Sequence, residues 1–250
     1  MRKFGLIGFP LSHSFSQGYF NQKFTNEGIG DAEYKNYPID SIDRFTELVK
    51  NNPDFAGLNV TIPYKEQVIP FLDELDSVAR EVEAINTIRF EKDASGKTIL
   101  KGYNTDVFGF SETIKRNLQN HHKKALILGT GGASKAVQWV LNSLGLHCEY
   151  ISRNASNSVF KTYAELTTND IADFTVIVNT TPLGMYPNVD AYPPIPYEGI
   201  TGKHILYDLI YNPQETVFLA KGKNRGAITI NGLEMLHLQA EKAWEIWNNK

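Results

Sequence analysis

An apolar run, Ala125-Leu126-Ile127-Leu128, leads directly into Gly129-Thr130-Gly131-Gly132-Ala133-Ser134-Lys135-Ala136. A turn so poor in side chains lets a backbone lie against a diphosphate. The helical pattern that begins near Ala133 adds free amide donors and a positive end. Ala136 is small enough for helix and strand to pack closely. The usual dinucleotide fingerprint has a glycine where this chain has Ser134. A Walker A loop is excluded, because no Gly-Lys-Ser/Thr follows at the required spacing. The ribose end of such a site is read about 20 residues beyond the first glycine. Glu149 falls at that count, but strand alternation sets it before the strand's end, and the tip itself reads Ser152-Arg153-Asn154. A guanidinium pairs with two phosphate oxygens, so this tip favours NADP, with NAD as the alternative.

A second set of polar residues lies earlier in the chain. Asn59 and Thr61 are two apart, so in extended backbone they point the same way. Lys65 follows Pro63 at the expected start of a short helical segment that Pro63 and Pro70 bracket. Asn86-Thr87 puts an amide and a hydroxyl where a strand interior calls for apolar residues. Asp106 falls at the junction with a following helix, and Ser14 and Ser16 flank a helix start. Together these groups have the donors and acceptors to hold a polyhydroxylated carboxylic acid. Each also has an ordinary alternative: Asn59 as a turn residue, Asp106 as a helix cap, Lys65 as a surface lysine.

The elements that must position these groups follow from periodicity. Strands are expected over 3–8, 33–38 and 55–60. Helices are expected after Ser14, over 41–50 and over 73–80, and a hairpin joins 84–90 to 98–101. From 105 onward a helix is expected to 117, then strands over 125–128, 147–151, 174–178 and 204–209 alternate with helices, the pattern of a parallel α/β sheet. His121-His122 reads as a solvated linker, and 182–202, rich in Pro, Gly and Tyr, as a long loop. The end is amphipathic, with Leu236, Ala240, Ala243, Trp244 and Trp247 on one face of a helix expected to pack on the first domain. The fold class is therefore α/β, with two α/β domains flanking a cleft in which a ligand would bind.

The 250 residues are 42% hydrophobic, enough to bury a sizeable core. The net charge of −3 gives no argument for a nucleic-acid partner. A single cysteine, Cys148, excludes a disulfide framework and fits a reducing, cytoplasmic setting. No targeting segment or membrane span is expected. His13, His121, His122, His147, His204 and His237 are not spaced as ligands, so no metal is expected.

Taken in order, the motifs resemble the shikimate dehydrogenase family across nearly the whole chain. They are Gly5 to Pro10 with Ser12-His13-Ser14-Phe15-Ser16, Asn59 to Lys65, Ala84-Ile85-Asn86-Thr87, and Gly102 to Asp106 with Gly109. They continue with Gly129 to Ser134, Asn179 to Met185, Tyr207-Asp208 with Tyr211-Asn212-Pro213 and Thr216, and Asn231 to Leu236 with Gln239. The resemblance implies a substrate-binding domain over 1–104, joined by the C-terminal helix 236–250, and a Rossmann-like dinucleotide domain over 105–235. It implies reduction of 3-dehydroshikimate to shikimate with NADPH; no surface patch in the sequence decides between a monomer and a homodimer. Lys65 and Asp106 would be the catalytic pair. Ser14 and Ser16 would bind the substrate carboxylate, and Asn59, Thr61, Asn86 and Gln239 its ring oxygens, with Tyr211 closing on it. Gly129, Thr130, Gly131, Gly132, Ala133 and Ser134 would take the diphosphate. Ser152, Arg153 and Asn154 would take the ribose end, where similar enzymes read Asn-Arg-Thr. Thr180, Met185 and Gly232 would line the nicotinamide. Two rival readings remain: a quinate/shikimate dehydrogenase using NAD or NADP, and a dinucleotide-binding regulatory module without turnover. The presence of both Lys65 and Asp106 argues against the second.

Overall fold

A computed structural model describes residues 1–11, 14–154 and 160–248. Ser12 and His13 of the first motif lie outside the described residues. The elements run β1 (Arg2–Gly8), α1 (Phe15–Asn26), β2 (Ala32–Pro38), α2 (Phe45–Asn51), β3 (Phe55–Val60), β4 (Glu74–Leu75), α3 (Ser77–Val82), β5 (Thr87–Lys92), β6 (Thr98–Tyr103) and α4 (Asp106–Ile114). They continue with β7 (Lys124–Leu128), α5 (Gly132–Ser143), β8 (His147–Ser152), β9 (Lys161–Thr162), α6 (Thr168–Asp173), β10 (Val176–Asn179), β11 (Ile205–Asp208), α7 (Val217–Lys223), β12 (Ile228–Ile230) and α8 (Leu233–Asn248). The chain divides into two compact units, Met1–Thr105 with Ala240–Lys250, and Asp106–Gln239. Among the described residues no helix is long and apolar enough to cross a membrane.

The first unit holds a mixed sheet in the order β2-β1-β3-β5-β6-β4. β1 runs parallel to β2 and β3, whereas β5 is antiparallel to β3 and β6. Alternation along β1 feeds two cores. Phe4 and Leu6 pack with Phe20, Phe24, Tyr34, Ala240, Ala243 and Trp247. Ile7 packs on the other side with Phe45, Leu58, Val60, Tyr64 and Ile88. The amphipathic face expected at the chain's end thus supplies Ala240, Ala243 and Trp247 to this unit. Trp247 crosses β3 at Gly57, where a Cβ would lie 2.2 Å from the indole nitrogen, and its Nε1 donates to the Ile88 carbonyl at 3.0 Å.

Two local expectations for this unit change. The helix expected over 73–80 is split: Glu74 and Leu75 pair with Lys101 and Gly102 of β6, and Asp76 then caps α3 by accepting from the Ala79 amide at 2.8 Å. A long-range ladder claims backbone that local propensity assigned to a helix. Lys65 opens a series of turns rather than a helix, with only a 3-10 turn at Ile69–Phe71 before Leu72.

The second unit holds a wholly parallel sheet in the order β12-β11-β10-β7-β8-β9. Covered on both faces, its strands read as continuous apolar runs, such as Ala125 to Leu128 and Val176 to Val178, all fully buried. Counted from β7, the order is third, second, first, fourth, fifth, sixth. It reverses between β7 and β10, and in open α/β sheets ligands bind outside the carboxyl ends of the strands at such a reversal. The segment 182–202 contains only a 3-10 turn at Tyr197–Gly199. His121-His122 is not a solvated linker. His122 is buried, its Nδ1 accepts from the Gln119 amide at 2.8 Å, and its Nε2 lies 3.0 Å from the Lys203 carbonyl. That carbonyl precedes β11, so no local sign of the contact exists in the sequence.

Candidate active site

The glycine turn occupies the strand-order reversal of the second unit. Gly129 follows β7 with φ +104, a conformation open to glycine and strained for other residues. A Cβ there would meet Thr180 Oγ1 and Thr181 Cγ2 at 2.9 Å, so the turn also lies close against the chain leaving β10. Gly131 caps α5 by backbone geometry, and a Cβ on it would face open space. Thr130 and Gly131 are exposed or half-buried, as are Gly132 and Ala133, so backbone amides of the first turn border solvent. Ser134 differs from this expectation. It is fully buried and its hydroxyl donates to the Gly131 carbonyl at 2.6 Å, so its side chain closes the turn rather than facing a ligand. These features fit a dinucleotide diphosphate.

At the neighbouring strand tip, Ser152 pairs with Thr162 of β9, and Arg153 and Asn154 are exposed. Burial pushes the Tyr163 phenol up to about 12, and the nearby Arg153 charge opposes it. Arg153 is exposed at the tip of the strand beside β7, the place where a dinucleotide site reads its ribose end. On the other side of the reversal, the Thr180 hydroxyl donates to the Leu128 carbonyl at 2.7 Å, tying the end of β10 to the end of β7. Met185 is half exposed and belongs to a concavity of about 550 Å³ with Leu183, Tyr186, Asn188 and Asp190. Gly232 lies so close to Leu209 that a Cβ would come within 2.1 Å of its carbonyl oxygen. Tyr211 is half-buried, which raises its phenol.

In the first unit Asn59 and Asn86, two of the expected substrate residues, belong to one connected hydrogen-bond network. Ser16 lies close enough to the Tyr34 phenol to oppose the rise that burial gives it, and the Tyr34 hydroxyl donates to Asn59 Oδ1 at 2.7 Å. Asn59 Nδ2 donates to the Asn86 carbonyl and Thr87 Oγ1, both at 3.2 Å. Asn86 Nδ2 donates to Thr105 Oγ1 at 2.9 Å, and its Oδ1 accepts from the Thr105 amide at 2.7 Å. Asn86 lies just before β5 rather than inside a strand, and it fixes the residue preceding Asp106. Asn59, buried with all these partners, is a brace within the network. Thr61 follows β3, held by its amide to the Ile7 carbonyl at 2.9 Å. The Lys65 carbonyl accepts from the Ile85 amide at 2.6 Å, which sets Lys65 beside the Asn86 segment.

Ser14 is different. Its backbone has the extended cap conformation ahead of α1, yet its side chain makes no capping bond, and its buried Oγ has no hydrogen-bond partner among the described residues. A buried hydroxyl without a partner costs about 1–3 kcal/mol, so a ligand acceptor or donor here is worth more than usual.

Asp106 is the buried first residue of α4 in the second unit. Gly109, one turn on, lets α8 approach: a Cβ there would lie 2.6 Å from the Met235 carbonyl and 3.3 Å from Gln239 Cβ. Residues three apart share a helix face, so Asp106 and Gln239 belong to one side of this helix pair. Gln239 Nε2 donates to the Leu236 carbonyl at 2.9 Å. Among the described residues no group of three or more His, Cys, Asp or Glu is placed to hold a metal ion.

Three residues were given no role from sequence: Tyr34, whose hydroxyl reaches Asn59, Thr105, which answers Asn86, and Asp208, a buried carboxylate at the end of β11. Tyr34 and Thr105 carry no signal beyond their place in a strand and a motif. Asp208 did carry one, a charged residue ending an apolar run.

Known proteins give this geometry its context. Residues 6–88 match the family model described as the shikimate dehydrogenase substrate binding domain. A curated shikimate dehydrogenase (NADP(+)) of Methanosphaera stadtmanae is 36% identical over 98% of this chain and 91% of its own length. The shikimate 5-dehydrogenase of Thermus thermophilus, solved in complex with NADP(H) and shikimate, superposes with a TM-score of 0.83 at 28% identity, over 99% of this chain and 94% of that one. A quinate dehydrogenase of Corynebacterium glutamicum, solved in complex with NAD, gives a TM-score of 0.83 at 25% identity, over 99% and 93%. A relative this similar over almost the full length of both chains decides the matter of descent, and this chain belongs to the shikimate dehydrogenase family.

Proposed function

We propose that the chain is an NADP-dependent shikimate dehydrogenase, reducing 3-dehydroshikimate to shikimate and running the reaction in reverse. The observation that carries this reading is the glycine turn at the strand-order reversal, with Arg153 at the adjacent strand tip. NADPH supplies the hydride at its nicotinamide ring. Gly129 to Ala133 cradle the diphosphate through backbone amides, Ser152, Arg153 and Asn154 meet the ribose end, and Thr180, Met185 and Gly232 border the nicotinamide. Ser134 contributes by shaping the turn.

Residues 1–104 with those of 236–250 serve the acid; those of 105–235 serve the dinucleotide and lend Asp106 and Tyr211 to the acid. Ser14 and Ser16 hold the substrate carboxylate. Asn59, Thr61, Asn86 and Gln239 hold ring oxygens, and Tyr211 shields the ring. The Lys65 ammonium gives a proton to the oxygen that becomes the alcohol, and Asp106 assists that proton transfer by orienting a substrate hydroxyl. In the oxidative direction neutral Lys65 takes the proton back.

Initial rates with shikimate or quinate, each with NADP⁺ or NAD⁺, test the reading. Turnover with shikimate and NADP⁺ supports it. Quinate as the better substrate moves the chain toward the likeness to quinate dehydrogenase, and binding of a dinucleotide without turnover of either acid makes it a binding module. Lys65→Ala is expected to lower kcat by about 10²–10⁴-fold while NADP⁺ affinity stays within a factor of about two. Near-normal kcat in that variant removes Lys65 from proton transfer.

A further inference from the structure

Asp208 ends β11 directly opposite Asn179, which ends β10. Its carboxylate is fully buried and receives three donors from three different segments. Oδ1 accepts from Asn179 Nδ2 at 3.0 Å and from the Ile210 amide at 3.1 Å, and Oδ2 accepts from Thr216 Oγ1 at 2.6 Å. Each donor anchors something further. Asn179 Oδ1 accepts from the Thr181 amide at 3.1 Å and hydroxyl at 2.7 Å, and its Nδ2 also reaches the Leu183 carbonyl at 3.3 Å, so it holds the loop that begins with Thr180. Ile210 precedes Tyr211, and its carbonyl accepts from the Gly232 amide at 3.0 Å. Thr216 caps α7 by accepting from the Leu219 amide. The turns leaving β10 and β11 and the start of α7 thus converge on one carboxylate. Those turns carry Thr180, Met185 and Tyr211, and Gly232 is tied to them.

We infer that Asp208 is a positioning residue for the redox step: with Asn179 and Thr216 it forms a buried hub that sets the nicotinamide-side turns of the second unit. This rests on the dehydrogenase reading for its kinetic consequence, and on geometry alone for the hub. Burial works against the carboxylate and pushes it up to about 6, while the three donors pull it down. An aliphatic residue of similar size would pack with less penalty, so the charge has a use in holding three donors that no apolar side chain could hold. Diphosphate and ribose contacts are proposed on the β7 and β8 side, which touches the hub's loop at Thr180 and Thr181 but shares none of its three donors. The dinucleotide should therefore still bind when the hub is lost, while its reactive end is misplaced, and a misplacement of about 1 Å can cost about 10²-fold in rate.

The test is Asp208→Asn, with Thr216→Val and Thr216→Ser as a second pair in case the first variant folds poorly. In Asp208→Asn, kcat for shikimate oxidation should fall about 10–100-fold with Kd for NADP⁺ within about twofold of wild type. Thr216→Val should lose several-fold in kcat, and Thr216→Ser, which keeps the hydroxyl, should recover most of it. Hydrogen exchange of the protein without ligands gives a readout independent of substrate. Amides over 180–185 and 209–212 should exchange faster in Asp208→Asn, and those of β7 and α5 should not. Wild-type kcat together with unchanged exchange over those turns overturns the hub. A wild-type protein that fails to turn over shikimate overturns the dehydrogenase reading instead, and the exchange comparison still decides the hub.

Discussion

Ser14 is the residue whose free state looks least finished. A hydroxyl at a helix start ordinarily caps the helix, and this one does not; its oxygen is buried with no partner among the described residues. If it exists to meet a carboxylate, its removal should have opposite effects on the protein and on the complex. Ser14→Ala deletes an unsatisfied buried group, so stability without ligand should hold or rise by up to about 1–3 kcal/mol in thermal melts. The same change removes a hydrogen bond to a charged ligand, worth about 1.5–3 kcal/mol, so KM for shikimate should rise about tenfold or more. Equal KM in the two proteins would mean that the hydroxyl faces no ligand. Asn59 makes the contrast. Its amide is answered on both sides by Tyr34, Asn86 and Thr87, so Asn59→Ala should cost stability first and substrate affinity second. Sequence placed both residues in the same polar set, and only their partners tell them apart.

At the scale of elements, the proposed choice between cofactors rests on the tip of β8. Arg153 is exposed there, one strand away from the glycine turn, and among the described residues no acid stands at the tip to take a ribose hydroxyl. Glu149 is engaged elsewhere, its carboxylate 2.9 Å from His147 Nε2. Arg153→Ala should therefore lower kcat/KM for NADP⁺ about 10–100-fold, the size of a lost charge-assisted pair, and leave NAD⁺ nearly unchanged. Equal losses with both cofactors would show that Arg153 does not read the phosphate. The elements that carry this site were legible because their signals are local. β7, the glycine turn and α5 are an apolar run, a turn and a helix start in immediate succession, and α8 shows its face by helical spacing. What was not legible depends on distant partners: β4 exists because β6 offers it a ladder, and Asp76 then caps a shorter α3. The hub around Asp208 needs Asn179 and Thr216, which no sequence spacing joins.

At the scale of the whole molecule, two buried groups act on stability with opposite sign between about pH 5 and 7. Desolvation, helped by the neighbouring His121 and His204, holds the His122 imidazole below its ordinary value, and its Nδ1 already accepts a hydrogen bond that a proton there would break. The folded protein thus binds fewer protons at this ring than the unfolded chain does. Its contribution is present above the ordinary histidine range and is lost as pH falls through the folded value. Asp208 runs the other way. Burial raises its carboxyl to about 6, so the folded protein binds more protons there, and that contribution is complete below the ordinary carboxylate range and lost as pH rises through about 6. The two slopes oppose each other in the wild-type protein, and removing one exposes the other. His122→Gln, which keeps a donor for the Lys203 carbonyl, should become more stable on going from pH 7 to 5, relative to wild type. Asp208→Asn should become less stable over the same interval. For a chain of this length about 1 kcal/mol moves Tm by about 2–4 °C, so thermal melts across that interval resolve both trends. Parallel Tm profiles in all three proteins would show that neither group changes its protonation on unfolding. The carboxylates whose values are lowered by partners at the surface, such as Asp31 with Arg2 and Asp54 with Lys3, titrate below this window and leave the comparison undisturbed.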